Sequence, residues 1–293
     1  MNLRSPVRMN LEALTTAGTL AITTAVTFLV SARLWQVLTH FAAGGPVFPE
    51  STMREAAQRF RDETERLRSS YASYLAAALI SCIMFVAALG LDLRGFYQGY
   101  PTWQLSLVAI LLGAMALFVF YKIVTTLKQL ASARFRRDAS IAVGHQLLGL
   151  AATHGAVFHD VEIGKTVVDH VFVGHNGAYA IHVIACRNRG KGTARLDGEQ
   201  LCLGGQVISL DTYTNRVHKL SASFSNLAGQ KVRVRSVVAI PGWDIEGQQG
   251  EKHLLVNERT LPMLTGWKSQ SDYLMNEDVD AIRKFLVERG RRG

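Results

Sequence analysis

The residues with the clearest potential for chemistry lie around an Asn-Gly pair at Asn176 and Gly177. Two runs rich in β-branched and aromatic residues flank this pair, and such a pattern is the strongest short-range signal for a β-hairpin. If the pair forms the centre of a two-residue turn, His175 faces Ala178, and alternate residues along both strands share a face. The residues on one face are then Asp169, Val171, His182 and Ile184. A carboxylate on that face could take part in a metal site.

Five stretches of the C-terminal half follow one another in an order that points to a family. They are an opening helix with Gly144, VVDHVFVGHNGAYAIHV at 167–183, RLDGEQLCLGGQ at 195–206, VRSVVAIPGW at 234–243 and NEDVDAIRKFLVER at 276–289. The segment from Phe135 to about Glu288 thus resembles a nuclease-related domain (NERD), a relative of the PD-(D/E)xK restriction-endonuclease-like superfamily. This resemblance implies an α/β restriction-endonuclease-like fold, with a mixed central sheet flanked by helices.

The resemblance also implies four site positions. A Glu follows the helix glycine, an Asp opens the second strand, and a Glu-x-Lys pair lies on the third. Carboxylates hold Mg²⁺ in such a site, and the Lys helps to orient the attacking water. In this chain the four positions hold His145, Asp169, His182 and Ile184. Because only Asp169 is retained, we interpret the domain as a nuclease relative that has lost phosphodiester cleavage and binds nucleic acid or a protein partner.

Three alternatives remain open at this point. An active metal-dependent nuclease would need catalytic groups that have moved to other positions in the chain. His145, Asp169 and His182 could instead bind a transition metal, since two imidazoles and a carboxylate suit such an ion; no other cofactor is expected. The domain could also be a purely structural component of a membrane assembly.

Basic residues follow the third predicted strand closely. Within nine residues the chain carries Arg187, Arg189, Lys191 and Arg195. Such a loop could neutralise the phosphates of DNA, RNA or lipid. The remaining histidines show no ligand spacing and are interpreted as surface or turn residues: His154, His159, His170, His175, His218 and His253.

Composition limits the classes of protein that fit. The chain has 293 residues, a net charge of +9 and 48% hydrophobic residues, which excludes a disordered or collagen-like protein. Its three cysteines, Cys82, Cys186 and Cys202, lack metal-ligand spacing and indicate a reducing compartment rather than a disulfide framework.

Apolar runs predict an N-terminal membrane region. Candidate transmembrane helices cover 13–32, 72–91 and 102–121, because each run is uncharged and long enough to cross a hydrocarbon core of ~30 Å. The first run is rich in Thr and Ala, so a spanning helix, an interfacial helix and a signal peptide all fit it. Residues 50–70 are predicted to form an amphipathic, salt-bridged helix that leads into the membrane.

Lysine and arginine residues near these runs predict the orientation of the chain. Arg59, Arg61, Arg66 and Arg68 precede the run at 72–91, and Lys122, Lys128, Arg134, Arg136 and Arg137 follow the run at 102–121. Only Arg94 lies between the two runs. Positive residues favour the cytoplasmic side. We therefore expect residues 1–133 to form a region embedded in an inner or plasma membrane bilayer, and residues 134–293 to form a cytoplasmic domain.

Overall fold

The computed structural model describes residues 6–42, 53–90, 99–188, 192–247, 250, 252–266 and 273–290. The chain divides into two compact units. The N-terminal unit contains residues 1–45 and 64–132, and the C-terminal unit contains residues 46–63 and 133–293. The C-terminal unit thus includes a short segment, 46–63, that the sequence analysis grouped with the membrane region.

Three long helices form over the predicted apolar runs. They are α1 (Pro6–Ala42), α2 (Gln58–Gly90) and α3 (Thr102–His154), and the unit boundary falls within α2 and α3. Each helix contains a stretch whose length and composition would allow it to cross a membrane: Leu11–Leu38, Gln58–Ala88 and Thr102–His154. The prediction of three helices of membrane-spanning length is confirmed.

Side chains of these helices suit an apolar environment. Large apolar residues are exposed along them, including Leu79, Ile83, Ile110, Leu117 and Phe120, and extended apolar surface of this kind belongs at a membrane or an interface. Threonine hydroxyls of α1 donate to carbonyls one turn earlier, as Thr16 does to Glu12 at 2.8 Å. Polar groups satisfied within their own helix can remain in hydrocarbon.

The helix predicted over 50–70 begins later than expected. Ala57 has a φ of 62°, a left-handed backbone conformation that cannot continue a right-handed helix. As a result α2 starts at Gln58, and the chain just before it follows an irregular path.

The C-terminal unit is built on a five-stranded mixed sheet with the spatial order β1-β2-β3-β7-β9. Its strands are β1 (Ala156–Ile163), β2 (Thr166–Gly174), β3 (Gly177–Val183), β7 (Val234–Ala239) and β9 (His253–Val256). The strands β1, β2 and β3 pair with one another in an antiparallel manner, whereas β7 runs parallel to β3 and β9 runs parallel to β7. The carboxyl ends of β3, β7 and β9 therefore lie at the same end of the sheet.

A second, four-stranded sheet has the spatial order β6-β5-β4-β8. Its strands are β4 (Thr193–Asp197), β5 (Gln200–Leu203), β6 (Gln206–Ser209) and β8 (Asp244–Glu246). Leu201 and Leu203 of this sheet pack with Val238, Ile240 and Leu255. The two sheets thus share a hydrophobic core.

Helices cover both faces of the five-stranded sheet. Val143 and Leu147 of α3 pack against Phe172 and Tyr179 on one face. The opposite face is covered by α4 (Asp211–Ala228) and α5 (Asn276–Arg289). There Leu220, Phe224, Ile282 and Leu286 pack with Val171 and Ala180. The chain therefore consists of N-terminal helices followed by a mixed α/β region with two sheets, which confirms the predicted class at this level.

The predicted hairpin forms, but its predicted register is wrong. Gly174 pairs with Gly177 and Val171 pairs with Ala180, so the turn residues are His175 and Asn176. A type I′ turn centred on Asn176 and Gly177 needs a positive φ at both residues, and only Gly177 has one, at 120°. The correction moves each pairing by two residues, which leaves His182 on the same face as Val171.

Candidate functional site

Asp169 lies within β2, is 4% exposed, and has both carboxylate oxygens engaged. Its Oδ1 accepts a hydrogen bond from Arg59 Nη2 at 3.0 Å, and its Oδ2 accepts one from the backbone N–H of Val183 at 3.0 Å. Val183 is the last residue of β3. The carboxylate therefore lies at the end of the sheet where the parallel strands have their carboxyl ends, and open α/β sheets commonly bind ligands there.

Arg59 belongs to a stretch that we term the docking segment, residues 53–60. The guanidinium of Arg54 donates to the carbonyl of Asp160 at 2.9 Å and forms an ion pair with Glu162 at 2.6 Å. The backbone N–H of Arg59 donates to Oδ2 of Asp160 at 3.0 Å. These partners lie 101–110 residues away in the sequence. The docking segment is therefore part of the C-terminal unit and completes its candidate site.

Gly144 allows the docking segment to approach α3. A Cβ atom at Gly144 would lie 2.6 Å from the Cβ of Ala56 and 3.5 Å from the rings of both His159 and His170. Contacts under 3 Å between such atoms force the backbone or side chains to move. The helix glycine that carries part of the family resemblance thus has a packing role in this chain.

Asp160 lies beside Asp169 on the neighbouring strand. It is 1% exposed and has a φ of 47°, a conformation that non-glycine residues rarely adopt. Burial raises the pKa of Asp169 and of Asp160, while the charge of Arg59 acts in the opposite direction on both. Arg59 thus acts on both buried acidic groups, together with Arg54 at Asp160 and Arg216 at Asp169.

His182 is fully buried, and neither of its ring nitrogens has a hydrogen-bond partner among the described residues. Its ring lies 4.8 Å from the ring of Tyr213, centroid to centroid. Burial, followed by the charge of Arg216, lowers the pKa of His182 to about 3. The imidazole is therefore neutral and can offer one N–H donor and one acceptor.

Ile184, at the position where the resemblance expects a lysine, lies in the core between the two sheets. It is 8% exposed and packs with Val238, Leu255 and Trp243. A lysine ammonium among these apolar side chains would be costly to bury. The side chain has become part of the hydrophobic core.

His145 is exposed on α3. Within the described ranges no group of three or more His, Cys, Asp or Glu side chains is arranged to hold a metal ion. The structure therefore does not bring His145, Asp169 and His182 together as a ligand set.

Two histidines that sequence reasoning assigned to the surface, His159 and His170, are buried against each other. Nδ1 of His159 lies 2.8 Å from Nδ1 of His170, and Nε2 of His170 lies 3.3 Å from Oγ of Ser140. Burial lowers the pKa of His159 to about 4 and that of His170 to about 3. His253 is buried as well, against Ser236 and Thr214. These three assignments were wrong because sequence spacing reveals metal ligands but not burial.

Of the four basic residues predicted to contact nucleic acid, Arg187 and Arg195 are exposed in the structure. The guanidinium of Arg187 lies over the ring of Phe135, at 5.2 Å. Arg189 and Lys191 lie outside the described residues. Sequence reasoning missed Arg59 and Arg216 as site residues, because both reach the site only through tertiary contacts.

No family model, curated protein or solved structure matches this chain. The functional assignment therefore depends on its own residues and their geometry.

Proposed function

We propose that this chain is a membrane-anchored protein with a NERD-like, restriction-endonuclease-like domain on the cytoplasmic side, and that the domain binds nucleic acid without cleaving it. The order of the elements supports the fold assignment. Gly144 lies on the helix that precedes the sheet, Asp169 on its second strand, His182 on its third strand and Ile184 directly after that strand. The first three positions lie on the elements that the resemblance expects, and Ile184 lies one residue beyond the third strand, on which the resemblance expects the lysine.

The ion pair of Arg59 with Asp169 is the main observation that supports the proposed loss of cleavage. Mg²⁺ requires oxygen ligands in a near-octahedral arrangement. The retained carboxylate already binds a guanidinium and a backbone N–H. Its two potential co-ligand positions hold a buried imidazole, His182, and an exposed one, His145. A magnesium ion at Asp169 would have to displace Arg59 and would find no carboxylate at either position. The neighbouring carboxyl of Asp160 is itself held by the backbone N–H of Arg59 at 3.0 Å.

Exposed arginines support the binding of nucleic acid. Arg187 and Arg195 follow β3, and Arg59 is 40% exposed at the same end of that strand. Cationic side chains bind nucleic acid chiefly through its phosphates, so affinity falls as salt rises and depends little on sequence. We infer binding of this kind, with the membrane helices restricting it to nucleic acid near the bilayer.

The test uses the full-length protein in detergent, mixed with labelled DNA and RNA oligonucleotides. We expect binding that weakens steeply with salt, and no cleavage above background with Mg²⁺ or Mn²⁺. Changing both Arg187 and Arg195 to Glu should weaken binding to every sequence alike, because phosphate contacts do not depend on the bases. Each lost phosphate contact should also reduce the slope of log affinity against log salt by about 1. Arg233→Glu makes a matched charge change in the exposed connection between α4 and β7 and serves as the control.

Two results would contradict this function. Cleavage that Asp169→Asn abolishes would favour an active nuclease with displaced catalytic residues. Binding that is absent at low salt would remove nucleic acid as the partner.

The proposed orientation gives a separate prediction. The positive residues that flank the apolar parts of α2 and α3 predict a cytoplasmic C-terminus. A fluorescent protein fused after Gly293 should therefore be fluorescent, and an alkaline phosphatase fused there should be inactive, because that enzyme needs an oxidising compartment to form its disulfides. An active phosphatase fusion would reverse the assignment.

A further inference from the structure

Basic side chains are concentrated at one end of the three long helices. The stretches 29–38 of α1, 64–75 of α2 and 118–132 of α3 together contain five basic residues and a single carboxylate, Glu65. We term the five basic residues the basic collar: Arg33, Arg66, Arg68, Lys122 and Lys128. These three stretches therefore carry a surplus of positive charge.

Contacts within the N-terminal unit bring the stretches of α1 and α2 together. The side-chain amide of Gln36 in α1 donates a hydrogen bond to Oγ of Ser69 in α2. The guanidinium of Arg33 lies 6.0 Å from the centre of the Tyr74 ring. The last turns of α1 thus lie beside the part of α2 that precedes its apolar run.

The stretch of α3 lies at this end as well. The boundary of the N-terminal unit falls between residues 63 and 64 in α2 and between residues 132 and 133 in α3. Next to this boundary, the guanidinium of Arg136 in α3 lies 5.7 Å from the centre of the Phe60 ring in α2. Because α2 and α3 meet there, residues 64–75 and 118–132 start from the same level. The basic collar therefore includes all three helices.

The side chains of the basic collar are available to a ligand. Four of its five members are exposed, and the fifth is half-buried. Within the described ranges no carboxylate forms an ion pair with Arg66, Arg68 or Lys128. Trp35 and Tyr121, close to the collar in sequence, are exposed as well. Tryptophan and tyrosine are enriched at the level of the lipid headgroups.

The distance of the basic collar from the apolar runs matches the headgroup layer of a bilayer. Its outermost members, Arg66 and Lys128, lie six and seven residues from the runs 72–91 and 102–121, or about 10 Å along a helix that rises ~1.5 Å per residue. The polar layer on each side of a bilayer is roughly 5–8 Å thick, and long basic side chains can direct their charges into it. The acidic residues that precede Thr64 in α2 lie further from its apolar run.

We propose that the basic collar binds the headgroups of anionic phospholipids. Such a lipid supplies a phosphate for the cations and acyl chains for the exposed apolar side chains beside them, whereas a nucleic acid supplies only the phosphate. This inference rests on the membrane anchoring in the proposed function. It adds that the protein selects lipids by their charge.

The test measures lipid selectivity in reconstituted membranes. Full-length protein is incorporated into phosphatidylcholine vesicles that contain a spin-labelled probe, either phosphatidylglycerol or phosphatidylcholine. Electron paramagnetic resonance then gives the fraction of each probe held at the protein. We expect the anionic probe to be favoured about 5-fold, which corresponds to about 1 kcal/mol for one Lys or Arg near the surface. Added salt should reduce this preference, because exposed charges are screened.

Removing charge from the basic collar should remove the selectivity. Three exposed members are changed together: Arg66→Gln, Arg68→Gln and Lys128→Gln. This variant should hold the two probes almost equally. A matched control removes the same charge from exposed residues of α4 and α5: Lys219→Gln, Arg283→Gln and Lys284→Gln. The control should keep the wild-type preference, and so should Arg66→Lys with Arg68→Lys, which retains the charge.

The outcomes separate the basic collar from the membrane anchoring. Protein that does not float with the vesicles in a density gradient would overturn both. Protein that floats but holds both probes equally would overturn the collar alone. The same conclusion would follow if the control lowered the preference as much as the collar variant. If the collar variant lost oligonucleotide binding and kept its lipid preference, the collar would belong to a nucleic-acid site instead.

Discussion

Replacing Arg59 with Met is expected to destabilise the C-terminal unit by about 2 kcal/mol. The change removes the guanidinium that binds Oδ1 of Asp169 and leaves a buried carboxyl without its cation. Breaking a buried ion pair by removing one partner costs about 3–5 kcal/mol. Two features reduce the loss here: Arg59 is 40% exposed, so solvent screens part of the attraction, and the already raised pKa of Asp169 lets this group become protonated.

Urea unfolding followed by circular dichroism in detergent would measure this loss. Arg61→Met is the matched control, because Arg61 lies two residues further along and pairs with Glu55 where both side chains are about half exposed. It should change the free energy of unfolding by less than about 0.5 kcal/mol. The double variant with Asp169→Asn should be less destabilised than the sum of the single changes, since the two side chains interact directly. Additive effects would show that the ion pair contributes nothing.

Acidification is expected to destabilise the same unit through its buried histidines. In the folded protein burial lowers the pKa of His170 from 6.5 to about 3 and that of His159 to about 4. For a histidine whose pKa is lower in the folded protein than in the unfolded chain, the folded state is fully stable above the pKa of the unfolded chain. That stability is lost as pH falls from 6.5 towards the folded value, because the unfolded chain takes up protons first. Asp160 and Asp169 oppose this trend, since their raised pKa values favour the folded state at low pH.

A histidine variant isolates the effect from the opposing carboxyls. His170→Gln should be less stable than the wild type at about pH 7, and the difference should shrink by about 2–3 kcal/mol by pH 4, since one pKa unit corresponds to about 1.4 kcal/mol. His218→Gln, on the exposed side of α4, provides the control. A difference between His170→Gln and wild type that is constant with pH would show that the histidine pair does not govern acid stability.

Patterns within one element predicted much of this fold. The long apolar helices and the hairpin around Asn176 follow from hydrophobic periodicity and turn residues, which are properties of neighbouring positions. The register of the hairpin could not be predicted in this way, because a type I′ turn and a turn shifted by one residue along the chain both accept an Asn-Gly sequence. Only the backbone of Asn176, which lacks the positive φ that Gly177 has, distinguishes the two.

The candidate site was harder to predict from such local patterns. Asp169 could be singled out through the family resemblance, but Arg59 contacts it across 110 positions of sequence, and a charged stretch before an apolar run looks like a solvated linker. One signal for the buried histidines was present. The chain reads His159-Asp160 in one strand and Asp169-His170 in the next, and in an antiparallel pair these inverted dipeptides face each other.

The docking segment also constrains how the chain can pass through a bilayer. Residues 53–60 precede the apolar part of α2, whereas Asp160 and Asp169 follow the apolar part of α3. Direct hydrogen bonds join them, so both must lie in one aqueous compartment. A chain that leaves and returns to the same side crosses an even number of times. The apolar parts of α2 and α3 therefore either both cross or both remain on one side, whatever α1 does. Deleting either apolar part from a chain in which both cross would put Arg59 and Asp169 on opposite sides of the membrane.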